Sequence, residues 1–109
     1  MCYNKYMHTV IETPLFLRYA SQVWSDSERE AFVNWIAVNP EAGDVIPGTK
    51  GLRKVRWSRA GMGKSGGARV IYFNLLERGE VNLMLVYAKA KFDNLSAAFL
   101  LQLRSEFDD

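Results

Sequence analysis

With 109 residues, 49 % of them apolar and 24 % charged, the chain can bury one hydrophobic core but not two, and its composition excludes a disordered tail. A net charge of +2 conceals a polarised distribution: seven of the fourteen Lys and Arg fall between Val45 and Leu76, where there is no Asp or Glu, and all twelve acids lie outside that window. Such a cluster points to a polyanionic partner, nucleic acid first, because Lys and Arg gain affinity by neutralising phosphates and releasing counterions.

The single cysteine, Cys2, has no intrachain partner, and no apolar run approaches the ~18 residues of a membrane span. The amino terminus lacks the apolar stretch of a signal peptide, so the expected location is the cytoplasm and no membrane contact is expected. No repeat, linker or low-complexity tract interrupts the chain, and residues 1–109 read as one domain.

Taken in order, His8 to Glu12 is a short apolar run that reads as a first strand. Thr13-Pro14 suits a helix start, since Thr caps free N–H groups and Pro tolerates the first helical position. Phe16, Tyr19, Ala20 and Val23 then recur at helical spacing. Ser25-Asp26-Ser27-Glu28 is a capping-box pattern opening a second amphipathic helix with Phe32, Trp35 and Ile36 on its apolar stripe, ended by Asn39-Pro40. After a turn-rich stretch through Gly48 and Gly51 the period becomes two. Leu52 to Trp57 reads as a strand with Val55 and Trp57 on one face and Lys54 and Arg56 on the other. A glycine-rich loop, Gly61 to Gly67, leads to a strand from Ala68 to Leu76. A turn at Glu77-Arg78-Gly79-Glu80 precedes Val81 to Tyr87, apolar on both faces and therefore a central strand. Asp93 or Asn94 is placed to cap a last helix that buries Phe99, Leu100, Leu103 and Phe107.

Gly61-Met62-Gly63-Lys64-Ser65-Gly66 has the letters of a dinucleotide fingerprint. That fingerprint needs a helix behind it, however, and Ala68 onward is β-rich. A P-loop would need glycine at position 58, where the chain has Ser58. The segment reads as a hairpin loop. One histidine, His8, and one cysteine cannot make a His pair or a Cys/His zinc site, and neither a metal nor a cofactor is expected. Trp35 and Trp57 read as core. What remains is a cationic, partly aromatic set on the strands: Lys54, Arg56, Arg69, Tyr72, Tyr87, Lys89 and Lys91.

At these residues the chain resembles the RelE/ParE superfamily of toxins from type II toxin–antitoxin pairs, in its HigB-like branch. The likeness is carried by Gly43-Asp44-Val45-Ile46, Gly48-Thr49, Gly51-Leu52-Arg53-Lys54-Val55-Arg56, Gly61 to Lys64, Gly66-Gly67-Ala68-Arg69-Val70-Ile71-Tyr72 and Val86-Tyr87-Ala88-Lys89. It implies an α+β fold: a small curved antiparallel sheet of about four strands, with two N-terminal helices packed on it and a C-terminal helix. It also implies a ribosome-dependent, metal-independent endoribonuclease that cuts messenger RNA through a 2′,3′-cyclic phosphate. Its partners would be the ribosome, messenger RNA and a cognate antitoxin of helix-turn-helix type.

Within that resemblance Arg69 matches the arginine that stabilises phosphoryl charge, a role in which a single donor is worth ~3–4 kcal/mol. Lys54 and Arg56 match the paired basic positions on the preceding strand. Lys54 is the candidate base: a lysine must first give up its proton, and neighbouring cations favour the neutral amine. Lys89 matches the basic position after the last strand and is placed to protonate the leaving oxygen. Lys50, Arg53, Arg59, Lys64, Tyr72, Tyr87 and Lys91 are the expected RNA contacts. Ala90 stands where better-studied members carry arginine, and Phe99 has no hydroxyl to replace their C-terminal tyrosine. Two other readings are open: a ParE-like inhibitor of DNA gyrase, and an inactive module of the same fold that binds nucleic acid or antitoxin.

Overall fold

The computed structural model describes residues 8–58, 67–88 and 95–105. Over these the order is β1 (Thr9–Glu12), α1 (Pro14–Val23), α2 (Asp26–Val38), β2 (Asp44–Val45), β3 (Arg53–Trp57), β4 (Ala68–Leu75), β5 (Glu80–Ala88) and α3 (Ala97–Ser105), with a 3₁₀ turn at Leu76–Arg78. The strands form one sheet ordered β1-β5-β4-β3-β2.

The helix starts are built as their sequences dictate. Thr13 Oγ1 accepts from the Phe16 N–H with Pro14 as the first helical residue. Ser25 Oγ accepts from the Glu28 N–H while Glu28 accepts from the Ser25 N–H, closing the capping box. At α3 the cap is Ser96, whose Oγ accepts from the Phe99 N–H; Asp93 and Asn94 lie outside the described residues.

β3, β4 and β5 are antiparallel neighbours, and β5 lies between β4 and β1, as its two apolar faces anticipate. The sheet is nevertheless mixed. β1 runs parallel to β5, Thr9 opposite Glu80 and Glu12 opposite Leu83, which the long intervening connection permits. The two-residue edge strand β2, not marked by any alternation, pairs Asp44 with Lys54 and Val45 with Arg53.

The sheet separates two apolar clusters. On one face α1 and α2 place Phe16, Ala20, Trp24, Phe32 and Ile36 against Val55, Ala68, Val70, Tyr72, Val81, Leu83 and Val86. Trp57 packs there, 4.9 Å from the Trp35 ring and 5.5 Å from Phe32, so both tryptophans are structural. On the other face α3 brings Leu100 and Leu103 against Leu52, Ile71, Phe73, Met84, Leu85 and Tyr87. A register shift between Ile71 and Tyr72 lets Met84 and Leu85 both join this second cluster.

Gly43 marks a close approach. A Cβ there would lie 2.8 Å from the Lys54 carbonyl oxygen and 3.0 Å from the Tyr72 ring, so only glycine fits. Gly67 combines a φ of +78° with contact against Ser58 and the Trp57 carbonyl, and this brings the chain into β4 at its pairing with β3.

Candidate nucleic-acid interface

Period-two alternation puts Lys54 and Arg56 on the sheet face opposite α1 and α2, and both are exposed. Ladder pairing extends this face across three strands. Arg56 stands opposite Arg69, and Arg69 opposite Tyr87; the neighbouring rung is Lys54, Ile71 and Leu85. Residues directly opposite have Cβ atoms ~4.5–5.5 Å apart, and rungs two residues apart are separated by ~7 Å. Three cations drawn from two distant segments thus occupy one small patch. Arg69 is only 7 % exposed, so its position is set by packing, whereas Lys54 and Arg56 reach solvent.

Like charges directly opposite repel across the strand pair. An anion bound between them reverses that sign. The dianionic or monoanionic oxygens of a phosphoryl group suit the planar N–H forks of two arginines, with Lys54 as a third, more mobile charge.

The remaining expected contacts divide. Lys50 is exposed in the β2–β3 connection at a φ of +60°, and its carbonyl accepts from Arg104 Nε at 3.2 Å. Arg53 does not share the cationic surface. It alternates onto the α2 side, where Nη1 donates to the Gly43 carbonyl at 2.6 Å and anchors the segment after α2. Tyr72 is a correction of the same kind. It is fully buried, its hydroxyl donating to Pro40 O and accepting from the Gly43 N–H at 2.9 Å each, and its ring has no surface to offer RNA. Burial pushes its phenol above the usual tyrosine range, partly offset by the Gly43 hydrogen bond. Tyr87 is corrected likewise: 2 % exposed and opposite Arg69 on β5, it packs in the cluster under α3 and has no ring surface to offer RNA. Lys89, Arg59, Lys64 and Lys91 lie outside the described residues.

Two features escaped the sequence. Arg104 of α3 lies 4.4 Å over the Phe73 ring and adds a cation beside Lys50. A cavity of about 280 Å³ is lined by Tyr19, Leu85, Leu95 and Phe99. Helical spacing marks Tyr19 and Phe99 as core positions, yet Phe99 is 41 % exposed. Among the described residues no three His, Cys, Asp or Glu come together as a metal-ligand group. None of the described helices is long and apolar enough to cross a membrane.

No protein-family model matches the chain. Among solved structures it is similar to a double arginine-to-alanine variant of the E. coli toxin RelE in the free state, with a TM-score of 0.61 at 15 % identity, covering 90 % of this chain and 97 % of that one. The likeness is one of fold: the chain has a RelE-like α+β architecture.

Proposed function

We propose that this chain is a toxin of the HigB-like branch of type II toxin–antitoxin modules and acts as a ribosome-dependent messenger-RNA endoribonuclease. The observation that carries the reading is the Arg56–Arg69 cross-strand pair with Lys54 on the same face, a concentration of positive charge suited to a phosphate. The RelE-like fold supports it.

In this reading the scissile phosphate rests between Arg56 and Arg69. The ribose 2′-oxygen attacks phosphorus as its proton passes to the Lys54 amino group, the base of this reading. Negative charge grows on the non-bridging oxygens and is met by the Arg69 guanidinium, held in place before the reaction by its burial. The bond from phosphorus to the 5′-oxygen then breaks, and that oxygen takes a proton from Lys89. The products are a 2′,3′-cyclic phosphate and a 5′-hydroxyl. No step calls for a metal. The cationic face would be covered outside its working state by a cognate antitoxin carrying a helix-turn-helix domain.

Expression of the chain in cells, followed by messenger cleavage, translation and DNA supercoiling, tests the reading. Native chain should cut messenger RNA on ribosomes, and Arg69→Ala should lower the rate ~100-fold or more while the protein stays folded. Undiminished cleavage by that variant would remove the mechanism. Loss of supercoiling with intact messages would assign a ParE-like gyrase inhibitor instead.

A further inference from the structure

The fold brings one acid to the cationic patch. Between Val45 and Leu76 the chain has no Asp or Glu, yet β2 pairs Asp44, the residue just before that window, directly with Lys54. Residues opposite each other in an antiparallel ladder share a face, with Cβ atoms ~4.5–5.5 Å apart, so Asp44 lies with Lys54 on the side of the sheet away from α1 and α2. Ile46, two residues on, packs in the cluster on that same side, as alternation requires. Asp44 and Lys54 are both exposed, and among the described residues neither has an ion-pair partner. The residues around Asp44 are accounted for by packing: Gly43 by its close approach to Lys54 and Tyr72, Ile46 by its cluster, and buried Thr49 by its 2.6 Å hydrogen bond to the Ile46 carbonyl. Asp44 instead faces solvent at the rim of the patch.

We propose that Asp44 selects RNA over DNA, its carboxylate accepting a hydrogen bond from the 2′-hydroxyl of the nucleotide next to the phosphate held by Arg56 and Arg69; the inference rests on the reading of that pair as a phosphate site. An ionised carboxylate only accepts, and it repels a polyanion. Its place beside three cations therefore weakens the hold on any phosphate chain, unless the ligand also presents a donor there. RNA carries such a donor on every nucleotide, and DNA lacks it. The ribose is bonded directly to the phosphate, so on a strand gripped by the arginines its hydroxyl is nearer than any base edge. Asp44 stands one rung, ~7 Å, along from Arg56 and one strand outward. The ribose it meets is thus the neighbour of the one whose 2′-oxygen reacts, which stays with Lys54.

The test uses the purified full chain and short single-stranded RNAs carrying a 2′-deoxy sugar at one position at a time, with binding read by fluorescence anisotropy. Native chain should lose roughly tenfold in affinity at one position, as for a hydrogen bond to a charged group. Asp44→Ala should bind intact RNA and that singly deoxy RNA equally, yet bind the all-DNA strand more tightly than native chain does, because a like charge has left the patch. Tighter DNA binding together with lost discrimination is a signature that a merely structural role does not produce. A flat deoxy scan, or one that Asp44→Ala leaves unchanged, overturns the inference. A position sensitive to removal of the base but not of the 2′-oxygen also overturns it and gives the carboxylate to a base amino group. Concentration-dependent self-association of Asp44→Ala, with the deoxy scan unchanged, overturns it as well and makes Asp44 a guard of the sheet edge. Arg69→Ala serves as the separate control. If it weakens RNA binding while the deoxy scan is flat, only the role of Asp44 fails; if it has no effect, the phosphate site fails and the inference with it.

Discussion

Arg56 and Arg69 occupy directly opposed positions on adjacent strands, an arrangement that local folding rules disfavour by ~0.2–1 kcal/mol. Arg56→Gln should therefore leave stability equal or slightly higher at low salt while weakening RNA binding, a divergence visible by comparing thermal melts with binding isotherms. Tyr72 behaves in the opposite sense, as a residue retained for structure. Tyr72→Phe strands the Gly43 N–H, although Pro40 O keeps its bond from Asn74 Nδ2, and should cost about 1–3 kcal/mol in urea unfolding at neutral pH. The same phenol carries a pH signature. Its proton is held more tightly in the folded than in the unfolded chain, so its contribution is fully present below about pH 10 and is lost as pH rises through the higher folded value. The native chain should lose stability above that pH, and Tyr72→Phe should flatten this alkaline decline.

At the scale of elements, α2 owes its start to the reciprocal Ser25–Glu28 cap and its attachment to the ion pair of Arg29 with Glu12 of β1. Ser25→Ala should cost about 1 kcal/mol, measured by denaturant midpoint at unchanged m-value. Among the described residues α3 packs through Leu100 and Leu103, stacks Arg104 on Phe73 and donates a hydrogen bond from Arg104 to the Lys50 carbonyl. Arg104→Ala should speed amide hydrogen exchange in α3 selectively, leaving β4 and β5 protected. Uniform acceleration across the sheet would show that α3 is part of the global folding unit.

For the whole molecule, charge and architecture coincide. The helices α1 and α2 cover one face of the sheet, the acids Asp26, Glu28 and Glu30 of α2 there being nearly balanced by Arg18 and Arg29, while Lys54, Arg56 and Arg69 lie on the other face. A molecule polarised in this way orients a polyanion before contact. With three cations engaged on single-stranded RNA, log K should fall with log salt at a slope of about −2, and Arg69→Ala should reduce its magnitude by about 0.7. A slope unaffected by the variant would place the RNA on another surface.

The sequence by itself determined what depends on near neighbours along the chain: the capped starts of α1 and α2, the alternation that separates Lys54 and Arg56 from Val55 and Trp57, and the two-faced apolarity of β5. It also concentrated positive charge in the window that supplies β3 and β4. Only the tertiary structure decided matters of pairing between distant segments. It set Arg56 against Arg69, ran β1 parallel to β5, turned Arg53 to the Gly43 carbonyl, buried Tyr72 under the Pro40 turn, and left Phe99 open beside Leu85. The reason is physical. Periodicity and capping are properties of a few consecutive residues, whereas register and burial depend on which surfaces of the whole chain find one another, and a tyrosine on a strand carries no local sign of whether its hydroxyl will meet water or a carbonyl thirty-two residues away.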